Sequence, residues 1–372
     1  MHKQNILNYI HKKLHIDIIF MFFISLLLFF SIFAIWSASG QNKNILYNKI
    51  IQICIGFTIM LLVAQIPPNF FFKNIFILYI IFIILLLVVY FTGIPINGAK
   101  RWLKISFMKF QPSEISKTIM PLFLTYRLHK INYMINIKNF IISIIIIAIP
   151  TFLVIKQPDL GTAILIILAS TIILFLSGLS WRLIIMSLIL ISICLPILWF
   201  FIMHDYQRTR ILILLNPEKD ALGAGYHILQ SKIAIGSGGW FGKGWLHGTQ
   251  TQLKFLPEKY TDFIFSVIAE EFGFIGVFSL IMTYISLILR GIILAIRTRN
   301  MLKQIVIYSM ILLFFSCIFI NISMVSGLLP IVGIPLPLLS YGGTSLIMFM
   351  INFGIIMSLC THTDDLMKHY IL

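Results

Sequence analysis

The chain has 372 residues, of which 59% are hydrophobic and 11% charged, with a mean hydropathy of +1.00. A soluble globular chain carries about 25% charged residues, so a water-soluble fold is excluded, and apolar runs long enough to cross a bilayer as helices recur along the sequence. The formal charge of +16, from 28 Lys and Arg against 12 Asp and Glu, suits anionic lipid head groups or an anionic substrate.

In chain order, the runs predict an all-α polytopic membrane protein with spans near 16–36, 50–66, 75–92, 139–156, 160–178, 182–202, 263–289, 304–327 and 343–360. A tenth, less apolar span at 113–127 carries Glu114 and Lys117, which makes it either a bundle-interior or an interfacial helix. The first run follows a basic N-terminus and has no small-residue cleavage site, so it is expected to be a retained helix. Ten spans put both termini on one side. With the N-terminus inside, 13 Lys and Arg fall in cytoplasmic segments against three in short outer loops, Lys43, Lys49 and Lys156. Trp36, Trp102, Trp181 and Trp199 fall at span ends, as an interfacial aromatic belt would place them.

Residues 203–262, between the seventh and eighth spans, form one large outer loop, and loops of that length are usually functional. Trp240, Phe241, Trp245, Phe255 and Tyr260 stand among its glycines, so an ordered segment is expected. No internal repeat is present, and residues 1–372 are expected to form a single integral membrane domain. Cys54, Cys194, Cys317 and Cys360 lie in or at the ends of apolar runs without a CxxC pair, which gives no sign of redox chemistry.

The twelve acids are few enough to place individually. Glu114, Asp159 and Asp262 each stand in the opening turn of a span entering from the same side, in FQPSEISK, KQPDLGTAI and KYTDFIFSV, so alternation alone gathers all three at one face. A carboxylate at a helix N-terminus also caps free N–H groups, and Pro112 and Pro158 read as first-turn prolines. Basic residues on that outer side, including Lys100, Arg101, Arg208, Arg210, Lys232, Lys243 and Lys259, run against the topogenic bias and suit an anionic ligand such as a lipid diphosphate. Glu114 and Lys117, three apart on a helix, can equally pair with each other. Glu270 and Glu271 lie about 12 Å beyond Asp262 along a helix. That depth reads either as a functional intramembrane site or as a partner for an outer-loop base.

The stretch NISMVSGLLPIVGIPLPLLSYGGTSL breaks helical geometry with its prolines and glycines, which a membrane protein tolerates only where the backbone lines a cavity or packs in protein. Ser340, Gly342, Gly343 and Thr344 could offer donors to an anion at the start of the last span, or the break could serve packing alone. No metal-ligand spacing, Walker loop or dinucleotide fingerprint occurs, so no metal site or other cofactor is expected. A divalent-cation requirement is not readable from these residues.

The run N-x5-GLLPIVGIPLPLLSYGGTS from Asn321 to Ser345, with GAKRWL, FQPSEISK, QPDLGTAIL and LPEKYTDFIFSVIAEEFGFIG in order, resembles the signature of the SEDS (shape, elongation, division and sporulation) family over nearly the whole chain. The loop text NPEKDALGAGYHILQSKIAIGSGGWFGKGW resembles the elongation branch more than the division branch.

The resemblance implies a ten-helix peptidoglycan glycosyltransferase of the bacterial inner membrane. It would polymerise lipid II during elongation and shape maintenance, with both termini cytoplasmic and the active site facing the periplasm. It also implies a class B penicillin-binding transpeptidase and other elongation-complex membrane proteins as partners, and no nucleic acid. Asp262 matches the family's essential loop aspartate, and Glu114, Lys117 and Asp159 match its other sensitive positions. On this reading Asp262 is the base, and Arg101, Lys117, Arg208 and Arg210 are candidates for diphosphate contacts. Asp159 instead braces the outer helix ends, given its neighbours Gly161 and Thr162. A lipid-precursor transporter and a non-catalytic scaffold are the competing functions.

Overall fold

The computed structural model describes residues 14–96, 99–105, 108–133, 135–186, 189, 192, 200, 208, 212, 224–253, 255, 256 and 258–362. The expected span at 182–202, with Trp199, and the site candidate Arg210 lie largely or wholly outside them.

The described helices are α1 (Ile18–Ala38), α2 (Lys43–Gln65), α3 (Pro68–Thr92), α4 (Ser116–Lys130), α5 (Ile137–Lys156), α6 (Leu160–Leu176), α7 (Ala224–Ser237), α8 (Thr249–Gln252), α9 (Ile264–Arg297), α10 (Met301–Val325) and α11 (Gly343–Thr361). Seven of them are long and apolar enough to span a membrane, and α6 is a shorter apolar helix. The chain is thus a polytopic, nearly all-helical membrane protein. Local chemistry sets the starts: Asp17 caps α1 by accepting from Phe20 N at 2.8 Å, Asn42 and Asn300 cap α2 and α10, and Pro68 opens α3.

Helices α10 and α11 form the centre, where Phe314 meets Phe349 and Phe353 edge-on at ring distances of 5.4 and 5.3 Å, and Phe20 of α1 meets Phe353 at 5.3 Å. Helix α11 packs along α2, and α9 along α1 and α10. The weakly apolar α4 is buried almost throughout, from Ser116 to Thr125, which makes it the bundle-interior helix and not the interfacial one. Exposed Phe22, Phe29, Ile77, Ile84, Ile141 and Ile145 stud the outer helices, a surface that only lipid covers favourably. At the end remote from the start of α11, Arg290 clasps the Asp17 carboxylate through two bonds of 2.6 and 3.0 Å.

Three features depart from the sequence expectation. Residues 94–110 carry a three-stranded antiparallel sheet, β1 (Ile94–Ile96), β2 (Ala99–Ile105) and β3 (Met108–Phe110), with Ile94 opposite Trp102 and Leu103 opposite Phe110. Trp102 therefore sits in a strand and not at a span end. The outer loop is partly helical: α7 packs on α9 and α10, and its Ser231 donates to Val325 O at 2.6 Å.

Third, α9 is two helices. Gly273 takes φ 63° and ψ −160°, a region open essentially to glycine alone. The segment Gly238–Gly244 lies in this break: Gly238 and Gly242 pack so closely on Ala269 and Glu271 that a Cβ would overlap their carbonyls, and Phe274 N donates to Gly239 O at 2.9 Å. Residues 264–271 ahead of the break are buried, whereas exposed apolar residues recur from Phe272 to Ile296, so the lipid-facing surface of α9 lies at and beyond the break. Replacing Gly273 by Ala adds a Cβ against the backbone of Trp240–Gly242 and forces a backbone strain of about 1–3 kcal/mol. The expected result is a lower thermal unfolding temperature in detergent.

Candidate active site

The broken segment between α10 and α11 does not end in unsatisfied carbonyls. Tyr284 OH of α9 donates to Pro337 O at 2.6 Å, Ser31 Oγ of α1 to Leu339 O at 2.9 Å, and Asn321 Nδ2 of α10 to Ile334 O at 2.7 Å. Lys49 adds three bonds to Leu338, Leu339 and Ser340. Lys49 is therefore no outer-loop residue, as the charge tally supposed, but a fully buried member of α2. Its helix begins seven residues before the apolar run does.

Held in this way, the segment closes a cavity of about 170 Å³ at the ends of α4, α6, α9 and α11. That is smaller than the roughly 300–1,000 Å³ of a small-molecule pocket. Glu114, Asp159 and Asp262 all line it, together with Arg101 and Trp102 of β2, Gly333–Pro335 of the broken segment, and Gly342, Thr344 and Ser345 at the start of α11.

The three carboxylates differ in what holds them. Glu114, in a 3-10 turn at Pro112–Ile115, accepts from Lys117 Nζ at 2.5 Å, both groups buried. Lys117 also reaches Ser345 Oγ at 3.2 Å and lies 4.8 Å from the centre of the Phe349 ring. It stands behind Glu114 and is not among the lining residues. Asp159 is the N-cap of α6: it accepts from Thr162 N at 3.3 Å and Thr162 Oγ1 at 2.6 Å, and takes a third bond from Gln111 Nε2 at 2.7 Å. Pro158 precedes that cap and is not a first-turn proline. Gly161 lets α6 approach the broken segment, where a Cβ would come within 2.7 Å of Val332 O.

Asp262 is not a cap, because the N-cap of α9 is Phe263. Its position comes from bonds accepted by the backbone carbonyls of Tyr260, Thr261 and Asp262. Asn321 Nδ2 donates to Asp262 O at 3.0 Å, Ser340 Oγ to Thr261 O at 2.6 Å, and Tyr341 N to Tyr260 O at 2.8 Å. Its carboxylate lies beside Gly333, φ 74°, where a Cβ would stand 3.7 Å from Oδ2.

Of the basic candidates, Arg101 lines the cavity, anchored by Nε to Gln157 O at 3.3 Å and by Nη2 to Pro158 O. Arg208 bonds Phe200 O at 3.0 Å and is not a lining residue. Ser340 is spent within the fold, accepting from Leu336 N at 2.8 Å while donating to Thr261 O, so it is not the anion donor expected of it. Gly343 packs on Gln52, which leaves Gly342 with Thr344 and Ser345 as the cavity face of the α11 start.

Glu270 and Glu271 are buried in the short segment ahead of Gly273, not midway along a continuous span. Glu270 accepts from Lys243 Nζ at 2.9 Å, Gln250 N at 2.8 Å and both Thr251 N and Oγ1, while Glu271 accepts from Ser37 Oγ. Glu270 ties the outer loop to α9 through Lys243, which is the partner-for-a-base alternative, whereas Glu271 ties α9 to Ser37 of α1. Gln111, Asn321, Ser31, Tyr284 and Lys49 were not singled out from sequence for these contacts, whereas Thr162 was named as a neighbour of Asp159 and does bond it.

The family model described as Cell cycle protein, for FtsW, RodA and SpoVE, matches residues 12–365. The chain belongs to this FtsW/RodA/SpoVE family. It is 51% identical over 356 residues to the peptidoglycan glycosyltransferase MrdB of Escherichia coli, covering 96% of each chain, and 38% identical to the Helicobacter pylori protein of that name, covering 93% and 90%. A solved chain, from a structure entitled as showing how a peptidoglycan synthase complex coordinates polymerization and crosslinking, matches with TM-score 0.81 and 28% identity over 94% of this chain and 99% of that one. The crystal structure of the Thermus thermophilus rod shape determining protein RodA shares the fold, with TM-score 0.70 over 92% of this chain and 95% of that one.

Proposed function

We propose that Asp262 is the general base of this peptidoglycan glycosyltransferase. It takes the proton of the acceptor sugar 4-hydroxyl as that oxygen attacks the anomeric carbon of an undecaprenyl-diphosphate-linked donor, lipid II or the strand grown from it. The new C–O bond forms opposite the breaking bond to phosphate, so an α-linked donor gives a β-1,4 link. A diphosphate leaves as a stable anion and needs no protonating acid, unlike the alcohol released in glycoside hydrolysis. One carboxylate therefore suffices.

The observation that carries the assignment is the placement of Asp262: it lines the cavity beside Gly333, together with Arg101 and the start of α11, on a loop whose backbone oxygens are fixed by Asn321, Ser340 and Tyr341. Of the other two carboxylates there, Glu114 pairs with Lys117 and Asp159 caps α6. Arg101 and the N-terminus of α11 at Gly342–Ser345 are the groups placed to meet the diphosphate charge. Lys117 supports the wall by holding Glu114. The cavity side would face the periplasm with both termini cytoplasmic, and the 203–262 loop would lie on the outer side, beside a class B penicillin-binding transpeptidase and other elongation proteins. No cofactor enters the scheme.

Incubation of the purified protein with labelled lipid II in detergent, where transport has no meaning, tests the activity. Lengthening glycan strands are expected. Unchanged lipid II in the presence of a crosslinking partner would favour a transporter or a scaffold.

A further inference from the structure

Lys49 is the least expected side chain near the cavity. It is 0% exposed, and its partners are three successive backbone carbonyls, Leu338 O at 3.2 Å, Leu339 O at 3.4 Å and Ser340 O at 2.8 Å. Three carbonyls converge because Leu338 takes a left-handed φ of 66°, which folds the chain back on itself. Convergent carbonyls are a concentration of partial negative charge that membrane surroundings leave without water. A lysine ammonium meets it with three donors around one point charge, which the flat guanidinium of arginine does not.

The turn so gathered is the one that holds the cavity. From Ser340 its hydroxyl runs to Thr261 O, and from Tyr341 its N–H runs to Tyr260 O, the two bonds immediately before Asp262. The following residues, Gly342–Ser345, begin α11 and line the cavity. We propose that Lys49 is a positioning residue for glycosyl transfer: by tying Leu338–Ser340 it sets the distance between the Asp262 loop and the start of α11. It touches neither substrate nor reacting atoms. The proposal rests on Asp262 being the base.

Misplacement of reacting groups by about 1 Å costs on the order of 10²-fold in rate. Lys49→Met keeps most of the unbranched stem and removes the charge and all three donors, and Lys49→Gln keeps two N–H donors on a shorter stem without the charge. With lipid II and the crosslinking partner present, kcat is expected to fall about 10²-fold for the Met variant and by an intermediate factor for Gln, with KM within about threefold of the parent. A merely structural role would reduce the folded yield while the folded fraction kept the parental kcat. Because Ser340→Ala loosens the same turn, the Lys49→Met/Ser340→Ala double variant should lose little more than the worse single one.

Parental kcat in folded Lys49→Met, or losses that multiply in the double variant, would overturn the proposal. Should the Met variant not fold, Lys49→Gln decides on the same criterion. Asp262→Asn assayed in parallel separates the two readings: parental turnover there contradicts the base assignment, whereas a dead Asp262→Asn with a fully active Lys49→Met contradicts only the role of Lys49.

Discussion

Asp262→Asn is expected to lower glycan polymerisation by about 10²–10⁴, the contribution of one positioned base, without unfolding the protein. The substitution keeps the shape of the side chain, and the bonds that fix this loop run to the backbone oxygens of Tyr260, Thr261 and Asp262, which it leaves intact. Asp262→Glu retains basicity but extends the carboxylate towards Gly333, so it should recover part of the rate. Steady-state polymerisation of labelled lipid II by the three proteins checks the order Asp, Glu, Asn. Equal rates for Asp and Asn would remove Asp262 from the chemistry.

Lys117→Met should instead act chiefly on stability. It leaves the buried Glu114 carboxylate without its cation and gives up the Lys117 contacts to Ser345 and Phe349, and removing one partner of a buried pair costs about 3–5 kcal/mol. Thermal unfolding in detergent should show a large drop, and the double variant Lys117→Met/Glu114→Leu should regain much of it because no charge is then stranded. A variant with parental stability but weakened lipid II binding would make Lys117 a substrate contact and not a wall.

Elements with one dominant apolar signal were legible in the sequence: the last span, expected at 343–360, is Gly343–Thr361, and the fifth, expected at 139–156, is Ile137–Lys156. What hydropathy hid was backbone geometry. The polar first two turns of α2, KNILYNK, looked like loop, so Lys49 was assigned outside the membrane although its helix had already begun. At Gly273 an apolar sequence, FGFIG, gave no hint of a break. The break exists because residues distant in sequence, Trp240–Gly242, occupy the space beside it. Strands β1 and β2 flank Asn97–Gly98, the strongest short-range hairpin signal, but their position between two membrane spans masked it.

The cavity divides in the same way. Glu114, Asp159 and Asp262 could be gathered from alternation, charge and resemblance because each is an acid beside a helix start, and Arg101 from its charge on the outer side. Their separate roles could not, apart from the local Asp159–Thr162 cap, since those depend on neutral partners such as Gln111 and Asn321 that only tertiary contact selects. Ser340 shows the converse: a hydroxyl in a glycine-rich turn resembles an anion donor until both its bonds are seen to be internal.

The base assignment is tested most directly by single-turnover transfer with lipid II already bound. The structure predicts that Asp262→Asn binds lipid II within about threefold of the parent yet forms the glycosidic bond at least about 10²-fold more slowly. A variant that binds lipid II tenfold or more weakly, but transfers at the parental rate once saturated, would contradict it by making Asp262 a binding group instead of the base.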